Sequence, residues 1–246
     1  MIPFRDHNPS GRTPYVTYAL IALNILIFLL YQPIASDEEA LWRIYATWGF
    51  IPRDISEGTG YIKLVTSMFI HGGYSHLIGN MLFLFIFGDN IEDEMGHLPF
   101  LLFYLATGII AGLTQVLSAP NSTIPTLGAS GAVAGVMGSY LLLYPKARID
   151  IFLIIIIFFR IISIQAWVVL GLWLIFQFIG GLGVPSGSGG IAYWAHAGGF
   201  IAGLFLTIPL WLRLGAKSFW TRNDGHPPHA EATYRYVTSR IPKVRR

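Results

Sequence analysis

Between Tyr15 and Tyr31 the chain reads YVTYALIALNILIFLLY, and no charge interrupts it. Charge-free runs of similar length return at 99–117, 165–181 and 193–212. A helix rises about 1.5 Å per residue, so roughly twenty apolar residues cross the ~30 Å hydrocarbon layer of a bilayer. The runs are continuous rather than alternating, which favours helices over the strands of a membrane barrel. Charged residues make up 12% of the chain and hydrophobic ones 54%, whereas soluble domains carry about 25% charged. The expected class is all-α: a polytopic membrane protein whose spans pack as one bundle.

Six spans are expected. The first is 15–31. The second starts near Tyr74 and ends in an acidic turn at Asp89–Glu94; the others are 99–117, Ser130–Tyr144, 165–181 and 193–212. Segment 149–181 is too long for one upright helix and contains Arg160, which is costly at mid-membrane. Residues 149–163 therefore read as a partly interfacial connection. Segment 33–63 mixes Trp42, Tyr45, Trp48 and Phe50 with charges, a composition suited to the headgroup layer. Arg5 and Arg12 precede the first span, and Lys146 and Arg148 follow the fourth. From Lys217 onward there are seven Lys and Arg against two acids. Positive charge marks the cytoplasmic side, so both termini are expected there, and the tail is read as membrane-flanking rather than as a nucleic-acid arm. The chain divides into a 1–14 N-terminal segment, a 15–214 bundle and a 215–246 basic tail. Stretch 223–232 and the last ten residues read as disordered. Cysteine is absent, which excludes disulfides and thiolate catalysis. The short polar N-terminus resembles neither a signal nor a transit peptide, which suits a bacterial inner membrane.

Polar groups inside a bilayer need partners, and three stretches concentrate them: HGGYSHLIGN (71–80), GASG (128–131) and WAHAGG (194–199). His76 and Asn80 are four apart and share a helix face. Each alone reads as a hydrogen bond between helices, and His71, before a Gly-Gly pair, as a structural histidine. Ser130 alone reads as small-residue packing beside Gly131, Gly135 and Gly138. However, Pro125 and Gly128 precede it, so it falls in a first helical turn, where free amides and the positive dipole end can hold an oxyanion. His196 begins a helix whose Gly199 and Gly203 permit a close neighbour. Under the topology above, all four polar groups lie at similar depth on three helices.

Together, and in this order, the three motifs resemble those of the rhomboid family of intramembrane serine proteases, over residues 12–214. The resemblance implies a six-span fold and a Ser–His dyad, with Ser130 as nucleophile and His196 as general base. It also implies an oxyanion hole of the Ser130 amide, His76 and Asn80, with His71 and Gly128 in support and Glu92 in a structural bond. Segment 33–62 would be the first interfacial loop and 182–190 the cap over the site. Two positions depart from the pattern. Ile62-Lys63 stands where many members carry Trp-Arg, and Ala134 where many place an aromatic against the catalytic histidine. Either another ring holds His196, or the histidine is looser and activity lower; Tyr193 and Trp194 are near but too close in sequence to be convincing.

The expected reaction is hydrolysis of peptide bonds in or near transmembrane segments of other membrane proteins, reached sideways from the lipid bilayer past span five and the cap. No Asp or Glu lies in 97–149 or 151–223, so a dyad is expected rather than a triad. No cofactor is implied. A metal site is not expected, because H-E-x-x-H is absent, although His71, His76 and His196 are possible zinc ligands by type. An inactive relative that binds membrane proteins is the alternative. A transporter would require midplane charges or internal repeats, and neither is evident.

Overall fold

The computed structural model describes residues 2–34, 36–155, 158–183, 190–228, 230 and 232. Strand β1 (Ile2–Asp6) leads into helix α1 (Tyr15–Tyr31). Three short helices follow, α2 (Glu38–Trp48), α3 (Pro52–Ser56) and α4 (Lys63–Thr66), and then α5 (Tyr74–Met95), α6 (His97–Ser118) and α7 (Ser130–Leu143). Strands β2 (Arg148–Ile155) and β3 (Phe158–Gln165) lead to α8 (Ala166–Gly183), α9 (Tyr193–Arg213) and α10 (Lys217–Asn223). The protein is a helical bundle with a small sheet at one end. Among the described residues, four helices are long and apolar enough to cross a membrane, and α5 makes a fifth when counted with the bent turn before it. Helix α7 is apolar but has only 14 residues.

That short helix is the centre of the bundle. Every residue from Gly131 to Tyr140 is buried. Glycine makes this possible. A Cβ on Gly199 would collide with the Gly131 carbonyl, and one on Gly203 with the Gly135 backbone. A Cβ on Gly138 would meet the Phe200 carbonyl. Helices α7 and α9 therefore touch main chain to main chain, a close approach that small residues permit in lipid.

The start of α1 has no cap of its own. Glu92, 1% exposed, supplies one from α5. It accepts from the amides of Val16 and Thr17 at 2.8 and 2.7 Å and from the Thr17 hydroxyl at 2.7 Å. A carboxylate at a helix N-terminus satisfies orphan amides and the dipole together. Its other contact is the His97 ring at 2.6 Å.

Several expectations need correction. The acids 89–94 form no turn; α5 runs through them to Met95 and stops at Gly96. The expected first loop, 33–62, carries helices α2 and α3 among its described residues, with Trp42 and Trp48 exposed on α2. Residues 149–155 and 158–163, expected as a partly interfacial connection, are regular strand. They belong to the antiparallel pair β2 and β3, and β1 adds a third strand in the order β1-β2-β3. The knot of this sheet is Asp150, which binds Arg5 at 2.7 Å, His7 at 2.8 Å and the Ser163 hydroxyl. Burial pushes the Asp150 carboxyl pKa up, but hydrogen bonds from Ser163, His7 and Arg5 outweigh it and hold it below its usual range. Residues 223–228, read as disordered, turn back on the bundle: Lys146 N–H donates to the Gly225 carbonyl at 2.9 Å. Just ahead of them, Trp220 on α10 donates to the Leu142 carbonyl at 3.0 Å. The last ten residues lie outside the described residues, as do positions 184–189 of the expected cap.

Candidate active site

A loop sets the direction of Ser130. Phe50 and Thr126 exchange backbone hydrogen bonds at 3.3 and 2.8 Å, and Gly128 N–H donates to the Ser67 carbonyl at 2.9 Å. Gly128 has φ +114°, a conformation that glycine adopts without steric cost. The chain then enters α7 with Ser130 as its first residue.

Ser130 and His196 meet, with Oγ and Nε2 2.7 Å apart. The close contact of α7 with α9 brings the two residues together, since Gly131 follows Ser130 directly and Gly199 lies one helical turn beyond His196. The other ring nitrogen, Nδ1, lies 2.9 Å from Oε1 of Gln177 on α8. On the same helix face, four residues earlier, Trp173 approaches the His196 ring with centroids 5.8 Å apart and planes at 31°. Trp173 also stacks on Phe200 at 5.9 Å. The imidazole is thus held by an amide and an indole, both from α8. Neither Tyr193 nor Trp194 holds it: Tyr193 lies against Gly180, and Trp194 against Gly181 and Phe178.

His76 and Asn80 face the same cavity from α5. Gly72 N–H points at His76 Nδ1, 3.3 Å away, which leaves the ring proton on Nε2. That Nε2 is directed toward Gly128: a Cβ placed on Gly128 would stand 2.6 Å from it and 3.7 Å from Ser130 Oγ. The missing side chain leaves a space between a ring N–H and the serine oxygen. Asn80 donates to the His76 carbonyl at 3.0 Å and lines the cavity beside this space.

His71 does not reach the serine. It is fully buried, with its ring edge-on to that of His76 and the centroids 5.1 Å apart. Its backbone is locked by the Tyr31 hydroxyl, which donates to the His71 carbonyl at 2.7 Å and accepts from its N–H at 2.8 Å. His71 therefore backs His76 from behind.

The cavity encloses about 600 Å³, and its walls include Ser130, His196, His76, Asn80 and Trp173. Among the described residues, no three His, Cys, Asp or Glu side chains group closely enough to hold a metal ion. Sequence reasoning missed Gln177 and Trp173. The available signal was a lone amide in an otherwise apolar span, which requires a buried partner.

A rhomboid-domain profile matches residues 58–213. The chain is 30% identical over 128 residues to YdcA of Bacillus subtilis, which carries a provisional rhomboid-protease name; the match covers 52% of this chain and 61% of that protein. It is 31% identical over 201 residues to the rhomboid protease GluP of the same organism, covering 81% of this chain and 35% of GluP. Mitochondrial rhomboid protein 1 of Saccharomyces cerevisiae is 30% identical over 141 residues, 56% of this chain and 39% of that one. In each case the match spans less than two thirds of the relative's own length. With well over half of its length matched by that profile, and with apolar helices long enough to cross a bilayer, this integral membrane protein belongs to the rhomboid family.

Proposed function

We propose that the chain is an intramembrane serine endopeptidase that cuts membrane proteins in or near their transmembrane segments. The reading rests on one observation above the rest: Ser130 Oγ and His196 Nε2 stand 2.7 Å apart inside a cavity. A serine hydroxyl is a poor nucleophile until a base within hydrogen-bond reach takes its proton.

In this mechanism the substrate carbonyl carbon sits over Ser130, and its oxygen points into the space beside Gly128. Ser130 Oγ attacks while its proton passes to His196 Nε2. The oxyanion is met by the Ser130 amide at the start of α7, by His76 Nε2–H and by the Asn80 amide. Each such donor contributes about 10²–10³ in rate. The imidazolium then protonates the leaving amine, which departs and leaves an acyl-enzyme on Ser130. A water molecule in the cavity gives a proton to His196 and attacks the ester; the imidazolium returns that proton to Ser130 Oγ as the acyl bond breaks and the new carboxyl terminus leaves.

A helical substrate must unwind to present its carbonyl, so cuts near Gly or Pro are favoured. Lateral access past α8 suits that helix, whose Trp167, Leu172, Ile175, Phe176 and Ile179 are all exposed. Six spans, with α7 as a short buried fourth, fit this reading, as do a 15–214 catalytic bundle and cytoplasmic termini in a bacterial inner membrane. Arg5, Arg12, Lys146 and Arg148 at the end away from Ser130 support that orientation.

The test is covalent labelling plus cleavage. A fluorophosphonate should label Ser130 in the wild type, and both Ser130→Ala and His196→Ala should abolish cleavage of a labelled transmembrane substrate, with no effect of EDTA. A folded wild-type sample that neither labels nor cleaves would point instead to a binding scaffold.

A further inference from the structure

We infer that Gln177 is the third, positioning member of the site: it fixes the tautomer and orientation of His196 through Nδ1. The inference rests on the protease reading above and goes beyond a Ser–His pair.

The hydrogen bonds assign the protons. Gln177 is 93% buried, with 7% exposure. Its Nε2 donates to the Trp173 carbonyl at 3.1 Å. A carbonyl cannot donate, so this contact settles which end of the amide is nitrogen. Oε1 therefore faces His196, 2.9 Å from Nδ1. An amide oxygen only accepts, so Nδ1 must carry the ring proton. That leaves the Nε2 lone pair free to accept from Ser130, 2.7 Å away on the other side of the ring. With a proton on Nε2 instead, the serine would face a donor and could not be deprotonated. After Nε2 takes the serine proton, Nδ1–H still donates to Gln177, so the amide serves both protonation states of the ring.

An amide, unlike a carboxylate, adds no charge to the middle of a bilayer, where an ionised group is costly. The arrangement thus supplies the orienting half of a triad without the ionic half. Trp173 completes the clamp by standing against the imidazole, with ring centroids 5.8 Å apart.

Gln177 is also one of only three buried residues on α8, with Ala166 and Leu170. The bond therefore has a rival role as a bolt that merely holds α8 against the bundle. Probe size separates the two. A small fluorophosphonate reaches Ser130 through the cavity and needs no displacement of α8, whereas a transmembrane substrate does.

The experiment compares wild type with Gln177→Leu, Gln177→Met and Gln177→Glu in detergent and in proteoliposomes. Each is checked for folding by thermal unfolding, and Met serves as a second apolar variant should Leu fail to fold. For a positioning role, Leu and Met slow fluorophosphonate labelling and lower kcat by about tenfold or more, the value of one lost hydrogen bond at a tautomer-setting position. KM stays within about threefold, and Glu, which can still accept from Nδ1, reacts faster than both. Labelling of Leu or Met within about twofold of wild type would overturn the inference, as would Glu no faster than Leu. A change in KM alone would identify a bolt. If wild type and Ser130→Ala are equally unreactive, the protease reading has failed rather than this one.

Discussion

Replacing Gly128 by Ala should stop the chemistry without unfolding the protein, and the cost can be worked from two glycines. At Gly128, φ is +114°, and an added Cβ would stand 2.6 Å from His76 Nε2, 2.7 Å from its Cε1 and 3.7 Å from Ser130 Oγ. Ordinary carbon contacts fall near 3.5–4.0 Å, so the His76 ring must retreat by about 1 Å. A misplacement of about 1 Å costs roughly 10²-fold, and a lost oxyanion donor costs about 10²–10³. The methyl also fills the space into which the carbonyl oxygen would swing. The expected fall in kcat is therefore about 10²–10³-fold. The left-handed backbone adds strain of about 1–3 kcal/mol. Gly96 calibrates that strain: its φ is +80°, and nothing lies within 4 Å of an added Cβ. Gly96→Ala should lower thermal stability by that strain alone, no more than Gly128→Ala does, and leave turnover near the wild-type value. The assay is cleavage of a fluorescent transmembrane substrate in proteoliposomes, run beside thermal unfolding of each variant. Turnover by Gly128→Ala within about threefold of wild type would refute an oxyanion space between His76 and Ser130.

Two further perturbations act at the opposite end. Glu92→Gln removes the charge that caps α1 and should cost about 1.5–3 kcal/mol, the range for hydrogen bonds to a charged group; thermal unfolding reads the loss, while fluorophosphonate labelling of the folded fraction stays unchanged. Burial and the nearby Asp89 raise the Asp6 carboxyl pKa from 3.8 to about 8, against a hydrogen bond from Tyr140. The folded state thus holds this proton more tightly than the unfolded one. Its stabilising contribution is complete below about pH 4, shrinks as pH rises, and is gone above about pH 8. Hydrogen exchange of residues 2–8, corrected for the intrinsic pH effect, should accelerate between pH 5 and pH 9. Asp6→Asn should flatten that profile, and an unchanged profile would remove Asp6 as the cause.

The parts of this protein that could be read from sequence are those governed by one strong local rule. Most helix limits came within a few residues because unbroken apolar runs in lipid have one solution; the end of α5, where acids continue the helix to Met95, did not. Ser130, His196, His76 and Asn80 stood out because polar groups in such runs need partners, and the structure brings all four to one cavity. Gln177 obeys the same rule, but its partner lies on another helix, and a lone amide does not say which one. The strand pair β2 and β3 was hidden for a different reason. A run of Ile and Phe satisfies a buried helix and a strand equally well. The choice was made by Arg5 and His7, which reach Asp150 from more than a hundred residues away.

The shortness of α7 sets where chemistry sits in the bilayer. Its 14 residues span about 21 Å, while the 22 residues of α6 span about 33 Å. Under the proposed mechanism, the nucleophile is then carried by a helix shorter than its neighbours, which sets it inward from their ends. Membranes differ in thickness by a few ångströms, and most spans respond by tilting. The contacts of Gly131 with Gly199 and of Gly135 with Gly203 leave no side chain to yield between α7 and α9. A change of lipid should then alter how deep a substrate bond must dip to be cut, and with it which bond is chosen, while the gap between oxygen and imidazole stays constant. In that sense α7 works as a depth gauge.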